Sequence, residues 1–226
     1  MKPLNIAIDG TVGSGKSSLA KALAKELDIM FFDTGALYRA FACEFIAKKF
    51  DESVINEKFV ENFAKKLNFE VFFEENVEHI KINGVDYTQD LRHSETSRLS
   101  AILSPYSSIQ NKVKEIQREF AKNNSCVMEG RDVGFDVLPN ADFKFFLTAD
   151  ENVRANRRLA ELKKSGKNIS FEEVLKDLKK RDYMDINRKV APLKMADDAI
   201  LIDNSKLNLE KTLEKCLKII KKSQKN

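Results

Sequence analysis

The feature that most constrains this chain is an eight-residue segment, Gly10-Thr-Val-Gly-Ser-Gly-Lys-Ser17, which matches the pattern GxxxxGK[ST]. It follows a short apolar run at residues 4–8 and precedes residues 17–27, in which leucines recur every four positions. A strand, a glycine-rich turn and a helix in this order bring backbone N–H groups together at a helix start, where phosphate oxygens bind. The sequence therefore predicts a phosphate-binding loop between a buried strand and an amphipathic helix.

Two side chains of this loop have specific tasks in the predicted site. The Lys16 ammonium is expected to neutralise the β- and γ-phosphates of a nucleoside triphosphate, and the Ser17 hydroxyl is expected to bind Mg²⁺. The loop alone does not identify the reaction, because GTPases, ATP-driven machines and small-molecule kinases share it. The chain lacks the DxxG and NKxD patterns of a GTPase, and 226 residues leave little room for a motor ATPase. A small-molecule kinase fits better.

The order of apolar runs and helical patterns predicts the fold. Five short apolar runs separated by helices indicate an α/β protein of the P-loop NTPase type, with a five-stranded parallel sheet and helices on both faces. The predicted strands are residues 4–8, 29–32, 125–128, 143–147 and 200–202. Between these, a stretch of alternating apolar residues with an Asn83-Gly84 turn signal predicts antiparallel strands. We expect a single domain over residues 1–226 with an insertion at about 56–93.

Composition excludes several function classes. The 39 Lys+Arg against 35 Asp+Glu give a net charge of +4, which is too small and too dispersed to indicate a nucleic-acid partner. Three widely spaced cysteines without a CxxC pattern, and only two histidines, favour neither disulfides nor a zinc site. The first apolar run is too short for a signal peptide, and no run is long enough to span a membrane. We expect a monomeric, cytoplasmic protein with no membrane partner.

Polar residues directly after the predicted strands are the next candidates, because ligands bind at the carboxyl ends of parallel strands. Asp33-Thr34-Gly35 and then Arg39 follow the second strand, and Glu129-Gly-Arg-Asp132 follows the third. An arginine among apolar residues, such as Arg39, favours an anionic ligand. The alternative is a salt bridge from Arg39 to Asp33 or Glu44.

Two further groups of charged residues lie on predicted helix faces. They are Arg154, Arg157 and Arg158 on one helix and Arg181, Asp185 and Arg188 on another. Three like charges on one face repel each other unless an anion binds, and the chain otherwise uses Lys, with 29 Lys against 10 Arg. This pattern favours phosphate ligands, with solvated surface pairs as the alternative. Phosphoryl transfer needs such groups together with Mg²⁺ and requires no covalent nucleophile.

These residues resemble the nucleoside monophosphate kinases, and within them the bacterial cytidylate (CMP/dCMP) kinases. Four segments carry the resemblance, which covers nearly the whole chain: the loop at 10–17, DTGALYR at 33–39, EGRDVG at 129–134 and RDYMDINRKVAPL at 181–193. The resemblance implies transfer of the γ-phosphoryl group of ATP to CMP or dCMP, with Mg²⁺. It also implies that the insertion binds the acceptor nucleotide and that a short arginine-rich lid lies at about 152–168.

The resemblance also implies a role for each site residue. ATP would contact Gly10, Thr11, Val12, Gly13, Ser14, Gly15, Lys16, Ser17, Ser18, Arg154 and Arg158. The acceptor would contact Thr34, Arg39, Ser100, Gln110, Arg131, Asp132, Arg181, Asp185 and Arg188, with Asp185 at the ribose and Asp132 at the cytosine amino group. The expected catalytic residues are Lys16, Arg131, Arg157 and Arg188, and the expected metal ligands are Ser17 and Asp33.

Two departures from the family pattern concern the acceptor and the metal. The family has an arginine that contacts the cytosine ring, whereas residues 99–117 contain none, and Gln110 is the nearest substitute. We therefore expect weaker discrimination between bases. Glu129 stands where the family usually has Asp. Two alternatives remain: a P-loop kinase of another small acceptor, such as UMP, dTMP or a shikimate-like compound, and a nucleotide-binding switch that signals through a partner.

Overall fold

The computed structural model describes residues 2–74, 77–166, 168–188 and 192–223. Its strands are β1 (Asn5–Gly10), β2 (Met30–Asp33), β3 (Phe69–Glu74), β4 (Val77–Ile82), β5 (Val85–Asp86), β6 (Cys126–Glu129), β7 (Phe143–Thr148) and β8 (Ile200–Asp203). Its α-helices are α1 (Lys16–Leu27), α2 (Thr34–Ala47), α3 (Glu57–Lys65), α4 (Ser94–Leu103), α5 (Ser107–Asn123), α6 (Glu151–Lys164), α7 (Phe171–Asn187) and α8 (Leu209–Ser223). Lys189, Val190 and Ala191 of the 181–193 segment lie outside the described residues.

The main sheet has five strands in the order β2-β6-β1-β7-β8, which confirms the predicted α/β fold. The pairs β1–β6, β1–β7 and β7–β8 are all parallel. β1 extends beyond the predicted end at residue 8, because Asp9 and Gly10 continue to pair with Phe146 and Leu147 of β7. The sequence pattern ended the strand at its first charged residue, but this carboxylate is buried in the structure.

The chain divides into two compact units. The first unit contains the described residues of Met1–Pro3 and Met30–Ser125, and the second unit contains those of Leu4–Ile29 and Cys126–Asn226. Each unit buries its own large apolar side chains. These are chiefly Phe32, Phe41, Phe45 and Ile80 in the first unit, and Ile6, Ile8, Leu19 and Phe145 in the second.

The small sheet of the first unit is antiparallel, as its alternating pattern predicts, in the order β3-β4-β5. Val71 pairs with Ile80 and Phe69 with Ile82, so the apolar residues of both strands share one face. Asn83 and Gly84 both have positive φ, at 51° and 83°, as a two-residue hairpin turn requires. The predicted extents of the insertion and the lid stay predictions.

Two helices of the second unit, α6 and α7, carry predicted arginines of the lid and of the acceptor site. α6 begins at an Asp150 cap, and α7 begins with a capping box formed by Ser170 and Glu173. Ala155, Val174 and Leu178 form the buried contact between these two helices. In the described parts of the chain, no helix combines the length and apolar character that a membrane span needs.

Candidate functional site

The phosphate loop of the second unit connects the end of β1 to the first turn of α1. Gly10 has a φ of 146°, and a Cβ atom there would lie 1.9 Å from the Leu147 carbonyl oxygen, so only glycine fits. Gly15 takes a left-handed conformation, with φ at 92°, immediately before α1. Within the described residues, no side chain caps the first turn of α1. Its N–H groups are therefore available to bind an anion.

Lys16 is the central charge of this loop. Its side chain is buried, and its Nζ donates to the Thr11 carbonyl at 2.7 Å. Burial, and after it the charge of Arg131, lowers the pKa of Lys16 to about 7, whereas the carboxylates of Glu129 and Asp185 act in the opposite direction. An anion bound at the loop would therefore stabilise the protonated form of Lys16.

Ser17 and Glu129 are in direct contact beside Lys16. The Ser17 hydroxyl donates to Oε1 of Glu129, which lies at the carboxyl end of β6. Hydroxyl and carboxylate oxygens suit Mg²⁺, which takes one or two protein ligands and completes its shell with phosphate and water. No cluster of three or more His, Cys, Asp or Glu side chains that could hold a metal occurs in the described ranges. The sequence analysis did not select Glu129 as a metal ligand. Its position directly after the predicted strand 125–128 was the signal that could have identified it, because ligands bind at the carboxyl ends of parallel strands.

Asp9 is a further residue of this site that the sequence analysis missed. Its carboxylate accepts the N–H groups of Val133 at 2.9 Å and Gly134 at 2.7 Å. Burial raises the pKa of Asp9, although these hydrogen bonds lower it. The carboxylate holds the turn that follows β6, on which Arg131 and Asp132 lie. The signal that could have identified Asp9 is its position directly after the apolar run 4–8, because a carboxylate at the end of a buried strand must be paired.

Four of the predicted acceptor contacts form two pairs of opposite charge. Arg131 donates through Nε to Asp185 Oδ2 at 2.5 Å and through Nη1 to the Gly130 carbonyl at 3.2 Å. The Nη2 atom of Arg188 lies 3.8 Å from Oδ1 of Asp132. All four side chains are partly exposed. The structure thus brings the turn after β6 together with the end of α7, and the acceptor contacts of these four residues stay predictions.

Arg154, predicted to contact ATP, is buried against the phosphate loop. Its Nη1 donates to the Val12 carbonyl at 2.8 Å and to Asp182 Oδ2 at 2.6 Å, and its Nε donates to the Ala149 carbonyl at 3.0 Å. Asp182 also accepts the Val12 N–H at 3.0 Å. The sequence analysis missed Asp182, because nothing in its local pattern indicates contact with a loop 170 residues away.

Arg157, predicted to be catalytic, contacts the segment after β8. It donates to the side chain of Asn204 at 3.0 Å and to the carbonyls of Asn204 and Leu207 at 2.9 and 3.2 Å. Asn204 in turn donates to the Ser14 carbonyl at 2.9 Å. Arg157 therefore reaches the phosphate loop through Asn204, a residue that the sequence analysis did not select. Its catalytic role stays a prediction.

The other two arginines of these helices point to solvent. Arg158 pairs with Glu161 at 2.9 Å, and Arg181 pairs with Asp177 at 2.9 Å. Both are pairs within one helix and are largely exposed, which is the arrangement expected of surface charges. Their predicted contacts with nucleotide stay predictions.

The first unit holds a second group of predicted residues around the end of β2. Arg39 Nη2 binds Asp33 Oδ2 at 2.8 Å, which is the salt bridge considered as the alternative to an anionic ligand. Glu78 of β4 accepts the Asp33 N–H at 3.1 Å, and burial followed by the charge of Asp33 raises the pKa of Glu78 well above its usual value. Thr34 is buried at the start of α2. The structure thus groups Asp33, Thr34 and Arg39.

Ser100 and Gln110, the predicted base contacts, are buried in α4 and α5 of the first unit. The Gln110 Nε2 donates to the Ser104 carbonyl at 2.9 Å. Its Oε1 is buried and has no hydrogen-bond partner among the described residues. Gln110 thus has one buried acceptor without a partner in the described part of the chain, and its amide nitrogen carries a second N–H besides the one that binds Ser104.

Comparison with known proteins gives a consistent result. Residues 6–222 match the family model of cytidylate kinase. A protein named cytidylate kinase from Caldicellulosiruptor bescii is 37% identical over 226 residues, covering 100% of this chain and 99% of that protein. Another of the same name from Flavobacterium johnsoniae is 40% identical over 223 residues, covering 97% of both chains.

The fold also resembles a solved kinase structure. The crystal structure of shikimate kinase from Bacteroides thetaiotaomicron superposes with a TM-score of 0.50, covering 96% of this chain and 98% of that one. The two sequences are only 14% identical, so this likeness concerns the fold alone.

Proposed function

The chain belongs to the cytidylate kinase family, and we propose that it transfers the γ-phosphoryl group of ATP to CMP or dCMP at the phosphate loop. The observation that carries this proposal is the environment of Lys16. The charges of Arg131, Glu129 and Asp185 all influence the pKa of Lys16, and Glu129 contacts Ser17, so predicted acceptor residues and the predicted metal ligand Ser17 lie near a single buried ammonium group. This is the arrangement that phosphoryl transfer between two nucleotides requires.

The phosphate loop is the proposed donor site. Its backbone N–H groups at the start of α1 bind the triphosphate, and Lys16, which the Thr11 carbonyl holds beside the loop, neutralises the β- and γ-phosphates. Ser17 and Glu129 are the proposed ligands of Mg²⁺. Asp33, which the sequence analysis also selected as a metal ligand, stays a further proposed ligand. When bound, Mg²⁺ neutralises phosphate charge as it builds up during transfer. Arg158 is proposed to contact ATP from α6.

Arginine side chains form the proposed acceptor site. Arg131 and Arg188 neutralise the acceptor phosphate as it approaches, and each brings its own carboxylate partner, Asp185 for the ribose and Asp132 for the base. Thr34, Arg39 and Arg181 are proposed as further contacts on the acceptor.

The reaction needs positioning and charge rather than a covalent intermediate. An oxygen of the acceptor phosphate forms the new bond to the γ-phosphorus, the bond to the bridging β–γ oxygen breaks, and ADP leaves with that electron pair. The attacking phosphate oxygen carries no proton when it is ionised, so no general base is required. Lys16, Arg131 and Arg188 stabilise charge on the transferred group.

Gln110 and Ser100 are the proposed contacts to the base. The Oε1 atom of Gln110, which has no partner among the described residues, is an acceptor that matches the amino group of cytosine rather than the oxygen at the same position of uracil. This orientation favours CMP over UMP. It argues against the weak base discrimination expected from the missing arginine, which stays a prediction until the two substrates are compared.

The test is an ADP-release assay with ATP and Mg²⁺ fixed and one acceptor at a time: CMP, dCMP, UMP, AMP, dTMP or shikimate. We expect turnover with CMP and dCMP above all others. Preferred turnover of another acceptor would support the alternative kinase, and ATP binding without transfer to any acceptor would support the switch. Monomeric state and cytoplasmic location are further proposals, which sedimentation and cell fractionation test.

A further inference from the structure

A buried ion pair lies directly against the phosphate loop. Arg154 of α6 and Asp182 of α7 have 5% and 14% of their side chains exposed. Asp182 Oδ1 accepts the N–H of Val12 at 3.0 Å, and Arg154 Nη1 donates to the Val12 carbonyl at 2.8 Å. Both backbone polar groups of one loop residue are therefore bound by the pair.

This contact reaches Lys16 through a single peptide group. The N–H of Val12 and the carbonyl of Thr11 belong to the same peptide unit, and that carbonyl accepts from Lys16 Nζ at 2.7 Å. Because a peptide unit is planar, the direction of its N–H determines the direction of its carbonyl. Asp182 therefore sets the orientation of the group that holds Lys16.

Packing reinforces this contact. The Val12 side chain packs against the buried cluster of Ala155, Val174 and Leu178 between α6 and α7. A Cβ atom at Gly13 would lie 3.5 Å from Arg154 Cβ and 3.5 Å from a methyl group of Leu178. The loop thus rests on both helices, and its conformation depends on them.

We infer that Asp182 and Arg154 are positioning residues, which hold the two peptide groups flanking Val12 so that Lys16 faces the triphosphate. They act through the loop and need no contact with nucleotide. The inference rests on the proposed function and adds that α7, which carries Asp185 to the acceptor site, also sets the geometry of the donor site.

Charge and positioning predict opposite effects when Asp182 is replaced. If Asp182 acted only through its charge, removing a negative group beside a polyanion site would strengthen ATP binding. If it positions the loop, its removal weakens ATP binding and slows transfer, because displacing a catalytic group by about 1 Å costs up to roughly 10²-fold in rate. The sign of the change in ATP affinity therefore distinguishes the two roles.

The experiment compares Asp182→Ala, Asp182→Asn and Arg154→Lys with Lys179→Ala. The last variant is a matched control, because Lys179 pairs with Glu151 at 2.9 Å between the same two helices, with both side chains more than half exposed. ATP affinity is measured by titration, and kcat and KM are measured for ATP and for CMP. Thermal denaturation reports whether each variant is folded.

We expect Asp182→Ala to lower kcat/KM for ATP by roughly tenfold or more, while KM for CMP stays near the wild-type value. Asp182→Asn keeps an oxygen for the Val12 N–H and should lose less, and Lys179→Ala should match the wild type. Unchanged or tighter ATP binding in the Asp182 variants, or a loss equal to that of Lys179→Ala, overturns the inference. Arg154→Lys keeps the charge but lacks the guanidinium that binds the Val12 carbonyl and Asp182 together, so it should also lose ATP affinity, and it decides by the same comparison if Asp182→Ala does not fold. An inactive wild type would overturn the proposed function, while the ATP titration would still test the positioning role.

Discussion

Arg131 and Asp185 are 54 residues apart in the sequence, and their side chains meet through an Nε–Oδ2 hydrogen bond of 2.5 Å. Arg131 follows β6 and Asp185 lies in the last turn of α7, so this pair joins the end of the sheet to the helix. About a quarter of each side chain is exposed, at 25% and 22%, which leaves both accessible to a ligand. We therefore expect a nucleotide phosphate to bind Arg131 and a ribose hydroxyl to bind Asp185.

Arg131→Ala and Arg188→Ala should abolish transfer without weakening ATP binding. Each removes a positive charge from the acceptor phosphate and the transferred group, and we expect kcat to fall by roughly 10²- to 10³-fold. The measurements are ATP titration and ADP release with CMP. Arg98→Ala is the control, because Arg98 is an exposed arginine paired with Glu52 in the first unit. Full activity of Arg131→Ala and Arg188→Ala would refute the acceptor role of these two arginines.

Glu129→Gln should raise the Mg²⁺ concentration needed for half-maximal activity by about tenfold or more, because it removes the carboxylate beside Ser17. Glu129→Asp keeps the charge and should recover most of the affinity. The measurement is a Mg²⁺ titration at saturating ATP and CMP. Asp33→Asn is titrated in parallel: if it alone raises the Mg²⁺ requirement, then Asp33 and not Glu129 is the ligand.

Gln110→Leu should reduce kcat/KM for CMP by roughly fivefold, equivalent to about 1 kcal/mol for one neutral hydrogen bond, with little change for UMP. The reason is the loss of the buried Oε1 acceptor, which matches the amino group of cytosine and not the oxygen at the same position of uracil. The ratio of CMP to UMP turnover is measured in both proteins. Nearly equal use of CMP and UMP by the wild type would instead bear out the weak discrimination expected from the missing arginine.

The three cysteines should be unreactive in the folded protein at pH 8. Cys43, Cys126 and Cys216 are all buried, and burial raises the pKa of the Cys126 and Cys216 thiols from 9.0 to about 12 and also raises that of Cys43. Iodoacetamide with mass spectrometry should find no label in the native protein and three labels after denaturation. Rapid labelling of the native protein would contradict this.

The same thiols should make stability depend on alkaline pH. The stability that these buried thiols contribute is fully present below pH 9, because the thiols are then protonated in both the folded and the unfolded protein. Above pH 9 the unfolded thiols ionise, while those of Cys126 and Cys216 stay protonated in the folded state up to about pH 12. The free energy of unfolding should therefore fall across this window, and urea titrations at pH 8 and pH 10 measure the change. Replacing Cys126 with Ala should reduce this pH dependence.

Most of the fold follows from local patterns. The break between α4 and α5 coincides with Pro105, and the β4–β5 turn occurs at Asn83-Gly84, because these residues have intrinsic backbone preferences. The phosphate loop was equally predictable, because its glycines and Lys16 lie within eight consecutive residues and form a recognisable pattern. What failed at β1 was the assumption that a charged residue ends a buried strand, because Asp9 is paired there by two backbone N–H groups.

The local order of residues was therefore sufficient to predict most of the strands and helices and the loop between β1 and α1. Only the folded chain showed that Asp9 binds the turn 125 residues away, that Asp182 binds Val12 across 170 residues, and that Asn204 binds Ser14 across 190. Periodicity reports which face of an element is apolar, and it carries no information on which distant polar group satisfies a buried one. Those pairings depend on how the elements of the second unit pack against one another, and they determine which charges remain available to the two nucleotides.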